Sequence, residues 1–204
     1  MKLKKLAPEL AAGIIDAGFD KDPRPVQSAS IPKIKSGADV VVLSPENTGK
    51  SVALLIGVML RLKKAEGEAP RAIVLANTKE QVFALEEQFN ELATHTNLRT
   101  FSVFDQGIIQ YQKDMIYEGL DVLFGTPKRI NELMSITGIP MINLKVLAVD
   151  DAETLVAQNQ HPVAYRIADG AKKLQCLLFA THWHEKFDDL EERMLKNPII
   201  IEDK

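Results

Sequence analysis

Three residues that could bind a phosphate, Gly49, Lys50 and Ser51, stand between an apolar run and an apolar helical pattern. A turn at such a junction presents backbone N–H groups and the positive end of a helix dipole, and both attract an anion. Lysine adds a point charge, and a serine hydroxyl can ligate Mg²⁺. We therefore predict a phosphate-binding loop here. Its predicted binding residues are Asn47, Thr48, Gly49, Lys50 and Ser51, with Lys50 also counted as catalytic and Ser51 as a metal ligand.

The loop departs from the usual pattern for such sites. Ser44 stands where Ala or Gly is usual, Pro45 lacks an amide donor, and Glu46 brings a negative charge near the phosphates. Asn47 takes a place where Gly is often found, and Asn tolerates a positive φ better than most residues. The alternative is an ordinary strand-to-helix turn that binds no ligand.

Two adjacent carboxylates, Asp150 and Asp151, follow a second apolar run at 146–149. In a phosphate-loop enzyme, the acid at such a strand end holds Mg²⁺, and the next acid polarises the attacking water. We predict Asp150 as a metal ligand and Asp151 as a catalytic residue. This prediction requires Lys50 and Asp150 to face each other across neighbouring strand ends. The alternative is that the acids cap the helix that follows.

These residues must be positioned by strands and helices that alternate along 204 residues, a length that suits one domain with an ample core. The strands are continuous apolar runs, which is typical of strands buried on both faces. We therefore predict an α/β fold with a three-layer, doubly wound parallel sheet, in which ligands bind at the carboxyl ends of the strands. In the helix at 78–93, the predicted core residues are Phe83, Leu85, Phe89 and Leu92. The predicted strands are 40–43, 71–76, 100–104, 121–125, 146–150, 175–179 and 199–201, and the predicted helices are 6–17, 26–35, 52–64, 78–93, 108–117, 126–134, 162–171 and 185–195.

Charge and composition restrict the class of protein. The formal net charge is -3 at pH 7, whereas a protein that binds nucleic acid strongly by itself is usually basic. The single cysteine, Cys176, excludes an internal disulfide and lies in an apolar run, so we predict a packed thiol in a reducing compartment. We find no signal peptide and no apolar run that would span a membrane, and we predict a cytoplasmic protein.

Six sequence blocks, by their order and spacing, resemble the first RecA-like domain of the DEAD-box ATP-dependent RNA helicases over nearly the whole chain. Gly18-Phe19 with Pro23-Arg24-Pro25-Val26-Gln27 and Ile31-Pro32 is similar to the family's Q motif. The other five blocks are Ser44 to Ser51 for the phosphate loop, Ala76-Asn77-Thr78-Lys79-Glu80 for Pro-Thr-Arg-Glu, Thr126-Pro127-Lys128-Arg129 for Thr-Pro-Gly-Arg, Asp150-Asp151-Ala152-Glu153 for Asp-Glu-Ala-Asp, and Leu178-Phe179-Ala180-Thr181-His182 for Leu-Phe-Ser-Ala-Thr.

This resemblance implies a single RecA-like P-loop NTPase domain, residues 1–204, that binds ATP or ADP together with Mg²⁺. It implies that Gln27 reads the edge of the adenine and that Arg24 belongs to the nucleotide site. It also implies weak binding of RNA along two helix starts. The implied nucleic-acid-binding residues are Thr78, Lys79, Thr126, Pro127, Lys128 and Arg129.

Several blocks differ from the family pattern, and the differences bear on activity. Leu3 stands at the place of an aromatic residue that stacks on adenine, and leucine offers no π face. Asp151 replaces the catalytic Glu, and a retraction of about 1 Å can cost roughly a hundredfold in rate. In the last block Ala180 lacks the first hydroxyl and His182 replaces the final Thr, which puts the family's coupling of nucleotide state to domain closure in doubt. Asp105-Gln106 stands near the place of a Gly-Gly turn that touches RNA in the family, and an acid there repels phosphate.

The family's second RecA-like domain, which supplies an arginine finger, is absent from this chain. We therefore predict a DEAD-box-like nucleotide-binding domain that binds ATP or ADP and, weakly, RNA, with weak or lost ATPase and no strand separation by itself. One alternative is a non-catalytic pseudo-helicase module that binds RNA or a protein partner. Another is the N-terminal half of an active two-domain RNA helicase.

Overall fold

The structure is a computed structural model that describes residues 7–19 and 23–203. Its strands are β1 Val40–Leu43, β2 Ala72–Leu75, β3 Thr100–Val103, β4 Val122–Gly125, β5 Val146–Val149, β6 Gln175–Ala180 and β7 Ile199–Glu202. They form one sheet in the order β3-β4-β2-β5-β6-β1-β7, and every pairing in it is parallel. This confirms the predicted parallel sheet.

Helices connect the strands throughout the described part of the chain. They are α1 Pro8–Asp16, α2 Pro25–Ser36, α3 Lys50–Leu62, α4 Lys79–Leu92, α5 Ile109–Glu118, α6 Pro127–Ser135, α7 Ala152–Ala157, α8 Pro162–Gly170 and α9 Phe187–Met194. Each predicted helix is present with slightly shifted ends, and the predicted start at Leu6 lies outside the described residues. The sequence analysis missed α7, because six residues are too few to show a helical period. None of the described helices has the length and apolar character needed to cross a membrane.

Two apolar layers cover the two faces of the sheet. Alternate strand residues such as Val40 and Val42 pack against helices α1 to α4, whereas Val41 and Leu43 pack against helices α5 to α9. Both faces are therefore buried, and this explains why the strands are continuous apolar runs rather than alternating ones. The result is the predicted three-layer, doubly wound architecture, with the carboxyl ends of the strands left free for ligands.

One predicted core residue, Phe83, is not in the core. Its side chain is 41% exposed, whereas Leu85, Phe89 and Leu92 are buried as predicted. The buried stripe of α4 begins at Val82 instead, because residues three and four apart share a helix face and Phe83 lies one position off that face. The Phe83 ring instead contacts Phe104 at the end of β3, with 5.2 Å between the ring centroids.

A buried ion cluster lies at the opposite edge of the sheet, where β2 and β4 begin. Arg71 and Asp121 are 1% and 0% exposed, and Arg71 Nη2 lies 2.6 Å from Asp121 Oδ1. Arg99 donates to the other oxygen of Asp121 from Nε and from its backbone N–H, both at 3.0 Å. The backbone N–H of Glu66 adds a donor at 3.1 Å. These bonds satisfy Asp121 and fix the starts of β2 and β4 relative to each other.

Cys176 lies inside β6, and we expect its thiol to be unreactive in the folded protein. Burial, and then the nearby Asp39 carboxylate, raise the pKa of Cys176 from 9.0 to about 12. Because the thiolate is the nucleophile, alkylation at about pH 8 should be roughly a thousandfold slower in native protein than in denaturant. A stopped-flow assay with a chromogenic thiol reagent measures both rates. Equal rates in the two conditions would contradict this prediction.

Candidate functional site

The loop between β1 and α3 has the backbone conformation that its sequence predicts. Asn47 has φ 61° and Gly49 has φ 85°, so both residues lie in the left-handed region. Asn is among the few residues that accept this region at low cost, which confirms the expectation for Asn47. Helix α3 begins at Lys50, directly after Gly49. The loop therefore places the unpaired amides of the first turn of α3 at the carboxyl edge of the sheet.

Gln27 and Arg24 pack directly against this loop. Gln27 is 3% exposed, its Nε2 donates to the carbonyl of Gly49 at 3.3 Å, and its Oε1 accepts from the backbone N–H of Arg24 at 3.1 Å. The Arg24 guanidinium donates to the carbonyl of Asn47. A Cβ on Gly49 would lie 2.7 Å from Gln27 Nε2 and 3.0 Å from Arg24 Cδ. Both residues therefore hold the loop, and their contacts with a nucleotide stay predictions.

Replacing Gly49 by Ala is expected to lower the free energy of unfolding by about 2 to 3 kcal/mol, because left-handed strain and overpacking add. Gly67 is a matched control, since its φ is +68° but its Cβ would meet only Asn143 Nδ2, at 3.9 Å. Gly67→Ala should cost about 1 kcal/mol, from backbone strain alone. Urea unfolding of both variants measures the difference. Equal costs would mean that the packing of Gln27 and Arg24 around the loop is loose.

The phosphate loop and the acid pair face each other, as predicted. Ser51 Oγ donates to Asp150 Oδ2 at 2.7 Å, and Lys50 Nζ lies 3.3 Å from Asp151 Oδ1. The predicted neighbouring strand ends are wrong, because β6 lies between β5 and β1 in the sheet. Helix α3 closes the gap by packing across both β5 and β6, and this brings its first turn to Asp150.

Where α3 meets the acid pair, two buried polar atoms of the described residues lack a hydrogen bond. Lys50 is 6% exposed and Asp150 is 7% exposed. Within the described residues, Lys50 Nζ and Asp150 Oδ1 have no hydrogen-bond partner. A buried ammonium suits a phosphate oxygen, and a carboxylate beside a serine hydroxyl suits Mg²⁺, which prefers oxygen ligands. The residues present therefore fit a nucleotide phosphate with its magnesium ion.

The carboxyl group of Asp150 is held in an unusual state. Burial, and the neighbouring charge of Asp151, raise its pKa from 3.8 to about 6, although the hydrogen bond from Ser51 and the charge of Lys50 oppose this rise. The folded protein therefore carries a carboxylate that is short of compensating positive charge near neutral pH. A bound cation would supply that charge.

Asp151 is fixed by contacts at both its backbone and its side chain. It has φ 50° and precedes α7, but its side chain makes no capping hydrogen bond to that helix, so the capping alternative is wrong. Its Oδ2 accepts from Gln81 Nε2 at 3.1 Å, and its backbone carbonyl accepts from Asn77 Nδ2 at 3.1 Å. Gln81 was not predicted, and Asn77 was noted only as part of the block from Ala76 to Glu80, because no local pattern links either residue to Asp151.

An open cleft of about 520 Å³ lies over the loop and Asp151. It brings together predicted site residues from three separate blocks, and it adds Phe19, Glu46, Val52 and Gln88, which were not predicted as site residues. The predicted adenine-side position, Leu3, lies outside the described residues. The lining residues are Phe19, Arg24, Glu46, Asn47, Gly49, Lys50, Ser51, Val52, Gln88 and Asp151.

Ser44 and Thr48 are tied below the cleft to a residue near the far end of the sequence. Ser44 is fully buried, and its Oγ lies 2.7 Å from Thr48 Oγ1 and 3.1 Å from Asp203 Oδ2. Thr48 Oγ1 donates to the carbonyl of Pro45 at 2.9 Å. The hydroxyl of Thr48 therefore shapes the base of the loop, and its contact with a nucleotide stays a prediction. Asp203 was not predicted because the contact is not local in sequence.

The two predicted nucleic-acid-binding helix starts lie at the same carboxyl edge. Thr78 caps α4, where its Oγ1 accepts from the backbone N–H of Gln81 at 3.2 Å. Lys79 Nζ lies 4.5 Å from the ring centroid of Phe104, and this cation–π contact keeps the charge near the end of β3. Thr78 is exposed and Lys79 is half-buried, so both can be reached by a ligand.

The second helix start, α6, holds the segment that follows β3. Thr126 Oγ1 donates to Asp105 Oδ1 at 2.6 Å, and Lys128 Nζ lies 3.8 Å from Asp105 Oδ2. Arg129 is 5% exposed and donates to the carbonyls of Asp105 and Gly107. Pro127 is the first residue of α6. Asp105 is thus partly neutralised by Lys128, while Arg129 stabilises the segment internally, and direct RNA contacts of these residues stay predictions.

Comparison with known protein families gives one match that covers most of the chain. The family model of the DEAD/DEAH box helicases matches residues 24–190, which is well over half of the chain. The chain belongs to the DEAD/DEAH box helicase family. This confirms the resemblance that the sequence blocks indicate.

Relatives of this DEAD/DEAH box domain come from distant organisms. It is 27% identical to DEAD-box ATP-dependent RNA helicase 8 of Arabidopsis thaliana, over 95% of this chain and 38% of that protein. It is 29% identical to the ATP-dependent rRNA helicase RRP3 of Debaryomyces hansenii, over 97% of this chain and 41% of that protein. It is 26% identical to the probable ATP-dependent RNA helicase YfmL of Bacillus subtilis, over 91% of this chain and 49% of that protein. The chain therefore spans less than half the length of each of these relatives.

In this DEAD/DEAH box domain, the acid block keeps a hydroxyl partner at the end of β6. The backbone N–H and the Oγ1 of Thr181 both donate to Glu153 Oε1, at 3.1 and 2.7 Å. The hydroxyl that is missing at Ala180 is thus supplied one residue later, and it meets an acid that is one methylene longer than Asp. His182 Nδ1 lies 2.9 Å from the same hydroxyl. The two blocks are therefore joined despite their altered residues.

Proposed function

We propose that this domain binds ATP or ADP together with Mg²⁺ and that it binds RNA weakly. Its ATP hydrolysis is weak or lost, and the domain does not separate RNA strands by itself. The observation that carries the proposal is the junction of α3 with the acid pair. There, Ser51 Oγ lies 2.7 Å from Asp150 Oδ2, and Lys50 Nζ and Asp150 Oδ1 are buried without hydrogen-bond partners in the described residues. Lys50 Nζ keeps an ion pair with Asp151 Oδ1 at 3.3 Å, but buried polar atoms without hydrogen bonds are costly, and this favours a bound ligand.

Each residue of the junction has a part in binding. The backbone N–H groups of the first turn of α3 would donate to the phosphate oxygens, and Lys50 would add its positive charge. Ser51 and Asp150 would hold Mg²⁺, which when bound neutralises phosphate charge and orients the attacking water. Gln27 and Arg24 hold the loop in this shape from outside, through their bonds to Gly49 and Asn47.

Weak hydrolysis follows from the state of Asp151. Its carboxylate is shared between Lys50 and Gln81, and it is already fixed before any nucleotide binds. A residue that polarises water must lie within hydrogen-bond reach of that water. A shorter acid that is held by a hydrogen bond from Gln81 and by an ion pair with Lys50 is poorly placed for this role. We therefore assign to this domain a nucleotide-dependent binding function rather than rapid turnover.

Isothermal titration of the 204-residue protein with ADP, with and without Mg²⁺, tests the proposal. We expect submillimolar binding that Mg²⁺ strengthens. Lys50→Ala should weaken it about tenfold to a hundredfold, because a charge-assisted hydrogen bond contributes about 1.5 to 3 kcal/mol. Lys113→Ala on α5 is the control. Among the described residues, Lys113 Nζ donates to the carbonyl of Ile136 alone, so this variant should leave the affinity unchanged. Absence of heat at millimolar ADP would refute nucleotide binding.

A second candidate is a binding module that acts without nucleotide. Ile108 and Tyr111, which are 74% and 57% exposed, favour it, because both follow the segment 105–107 that Arg129 contacts and lie on the surface. Capture of RNA or of a protein partner that is equal for the parent protein and Lys50→Ala would support this candidate.

A third candidate concerns the longer relatives. Since the chain spans less than half of each, it can act as the N-terminal half of an active two-domain RNA helicase. Restoration of RNA-dependent ATPase on adding a second RecA-like domain would support this candidate. No gain in ATPase would favour the nucleotide-binding domain proposed above.

A further inference from the structure

Gln81 makes hydrogen bonds from both ends of its side-chain amide, and the two bonds lead to different predicted sites. Its Oε1 accepts from the backbone N–H of Thr78 at 3.2 Å, at the start of α4. Its Nε2 donates to Asp151 Oδ2 at 3.1 Å. One planar group thus connects the helix start predicted to bind RNA with the acid predicted to act on ATP.

The chemistry of the two partners fixes the orientation of this amide. The Thr78 backbone N–H can only donate and the ionised Asp151 carboxylate can only accept, so the amide oxygen must face Thr78 and the amide nitrogen must face Asp151. Neither bond can be exchanged for the other by flipping the group. A change at either partner is therefore transmitted to the other through one rigid group.

The other contacts of Asp151 strengthen this link. Asn77, which immediately precedes Thr78, donates from Nδ2 to the backbone carbonyl of Asp151 at 3.1 Å. The backbone of Asp151 is therefore held by the segment that joins β2 to α4, and its side chain is held by the first turn of α4. The remaining partner of the carboxylate is Lys50, which a nucleotide phosphate would draw away.

We propose that Gln81 is a positioning residue that fixes the Asp151 carboxylate and ties it to the helix start that carries Thr78 and Lys79. It follows that RNA bound at this helix start and nucleotide bound at Lys50 change each other's affinity through Gln81. This consequence rests on the proposed function, whereas the positioning of Asp151 does not.

Two substitutions separate the two bonds. Gln81→Met removes both hydrogen bonds, and the methionine side chain is uncharged and similar in length to glutamine. Gln81→Glu keeps an oxygen for the Thr78 N–H and replaces the donor to Asp151 by a carboxylate that repels it. Gln110→Met on α5 is the matched control, because Gln110 Nε2 makes the same kind of bond to Asp114 Oδ1, at 2.7 Å, on an exposed helix face.

The positioning claim is tested in ligand-free protein by a double-mutant cycle. Urea midpoints are measured for Gln81→Met, Asp151→Ala and the double variant. We expect the shift of the double variant to differ from the sum of the two single shifts, because the residues share one interaction. Additive shifts would overturn the proposal, whether or not the protein binds a nucleotide.

The link is tested by titrating a fluorescent ADP analogue with Mg²⁺, in the presence and absence of a uridine RNA oligomer. The ratio of the two dissociation constants should differ from one by about fivefold in the parent protein and in Gln110→Met. It should fall to one in Gln81→Met, and to near one in Gln81→Glu. An unchanged ratio in Gln81→Met, or a ratio of one in the parent protein, would overturn the link. Failure of the parent protein to bind the analogue at all would refute the proposed function, and the ligand-free cycle would then decide on Gln81.

Discussion

Replacing Asp121 by Asn is expected to lower the free energy of unfolding by about 3 to 5 kcal/mol, the usual cost of removing one partner from a buried ion pair. Asp121 is fully buried and accepts hydrogen bonds from Arg71, from Arg99 and from the backbone N–H of Glu66. Asn keeps the shape, but its NH₂ group would replace either the oxygen that accepts from Arg71 or the oxygen that accepts from Arg99. The Arg71 charge, 1% exposed, would then lack its buried counter-ion.

Thermal unfolding checks this prediction, with a fall in midpoint of about 10 °C expected for a chain of this size. Glu66→Gln is the matched control, because Glu66 pairs with the same Arg71 at 3.3 Å but its side chain is 63% exposed. An exposed pair contributes about 0 to 1 kcal/mol, so this variant should unfold near the parent midpoint. A similar fall in the unfolding midpoint of both variants would show that the buried ion pair stabilises the fold no more than the exposed one does.

The same cluster predicts a loss of stability in acid. Burial raises the pKa of Asp121, but the hydrogen bonds from Arg99, Glu66 and Arg71 outweigh it, so the pKa lies below its ordinary value of 3.8. The folded state therefore binds this proton less readily than the unfolded state. The stabilisation is present above pH 3.8 and is lost as the pH falls through the lowered pKa. Asp121→Asn should remove this part of the acid transition.

Replacing Asp150 by Asn has the opposite expected sign. In metal-free protein near neutral pH, Asp150→Asn should raise the free energy of unfolding by about 3 kcal/mol, which is the energy equivalent of moving a pKa from 3.8 to about 6. The folded state bears the cost of the charged carboxylate above the raised pKa. Below the ordinary value of 3.8 both states are protonated and the advantage of Asn disappears. Urea unfolding in the presence of a chelator, repeated across this pH range, measures it.

The same variant should lose the strengthening of ADP binding by Mg²⁺, since the amide brings no charge to the cation. A gain in stability together with a loss of metal dependence would mark Asp150 as a residue kept for function at the expense of stability. Asp114→Asn is the control, because Asp114 is exposed on α5 and should change neither property. A less stable Asp150→Asn protein would contradict the assignment, since it would mean that the carboxylate is structurally needed.

The overall architecture could be predicted because a strand that is buried on both faces of the sheet appears in the sequence as a run of consecutive apolar residues. The order of strands in the sheet could not, because an apolar run does not say which strand lies next to it. For this reason β6 was not expected between β5 and β1. The exposed Phe83 is a different case, since the helical spacing of Leu85, Phe89 and Leu92 already selects Val82 for the buried face.

The site divides in a similar way. Lys50, Ser51 and Asp150 could be found because the chemistry of phosphate and magnesium requires these residue types at a strand end. Gln81 and Asp203 could not, because ordinary polar side chains become informative only when the fold places them against Asp151 and Ser44. The hydrogen bond from the hydroxyl of Thr181 to Glu153 could not be predicted either. In the sequence, the hydroxyl has moved by one residue from position 180 to position 181, and this looks like the loss of a hydroxyl.

The position of β1 in the sheet has a consequence for how the protein forms. Val40 pairs with Leu177 on one side and with Ile199 on the other, so both partners of β1 are made long after it. Contacts between distant parts of a chain form slowly, because loop closure must precede them. During synthesis, the segment with Lys50 leaves the ribosome early but has no neighbouring strands until β6 and β7 follow. If the domain binds ADP as proposed, ADP should therefore stabilise only those folding states in which β1 has already joined β6 and β7.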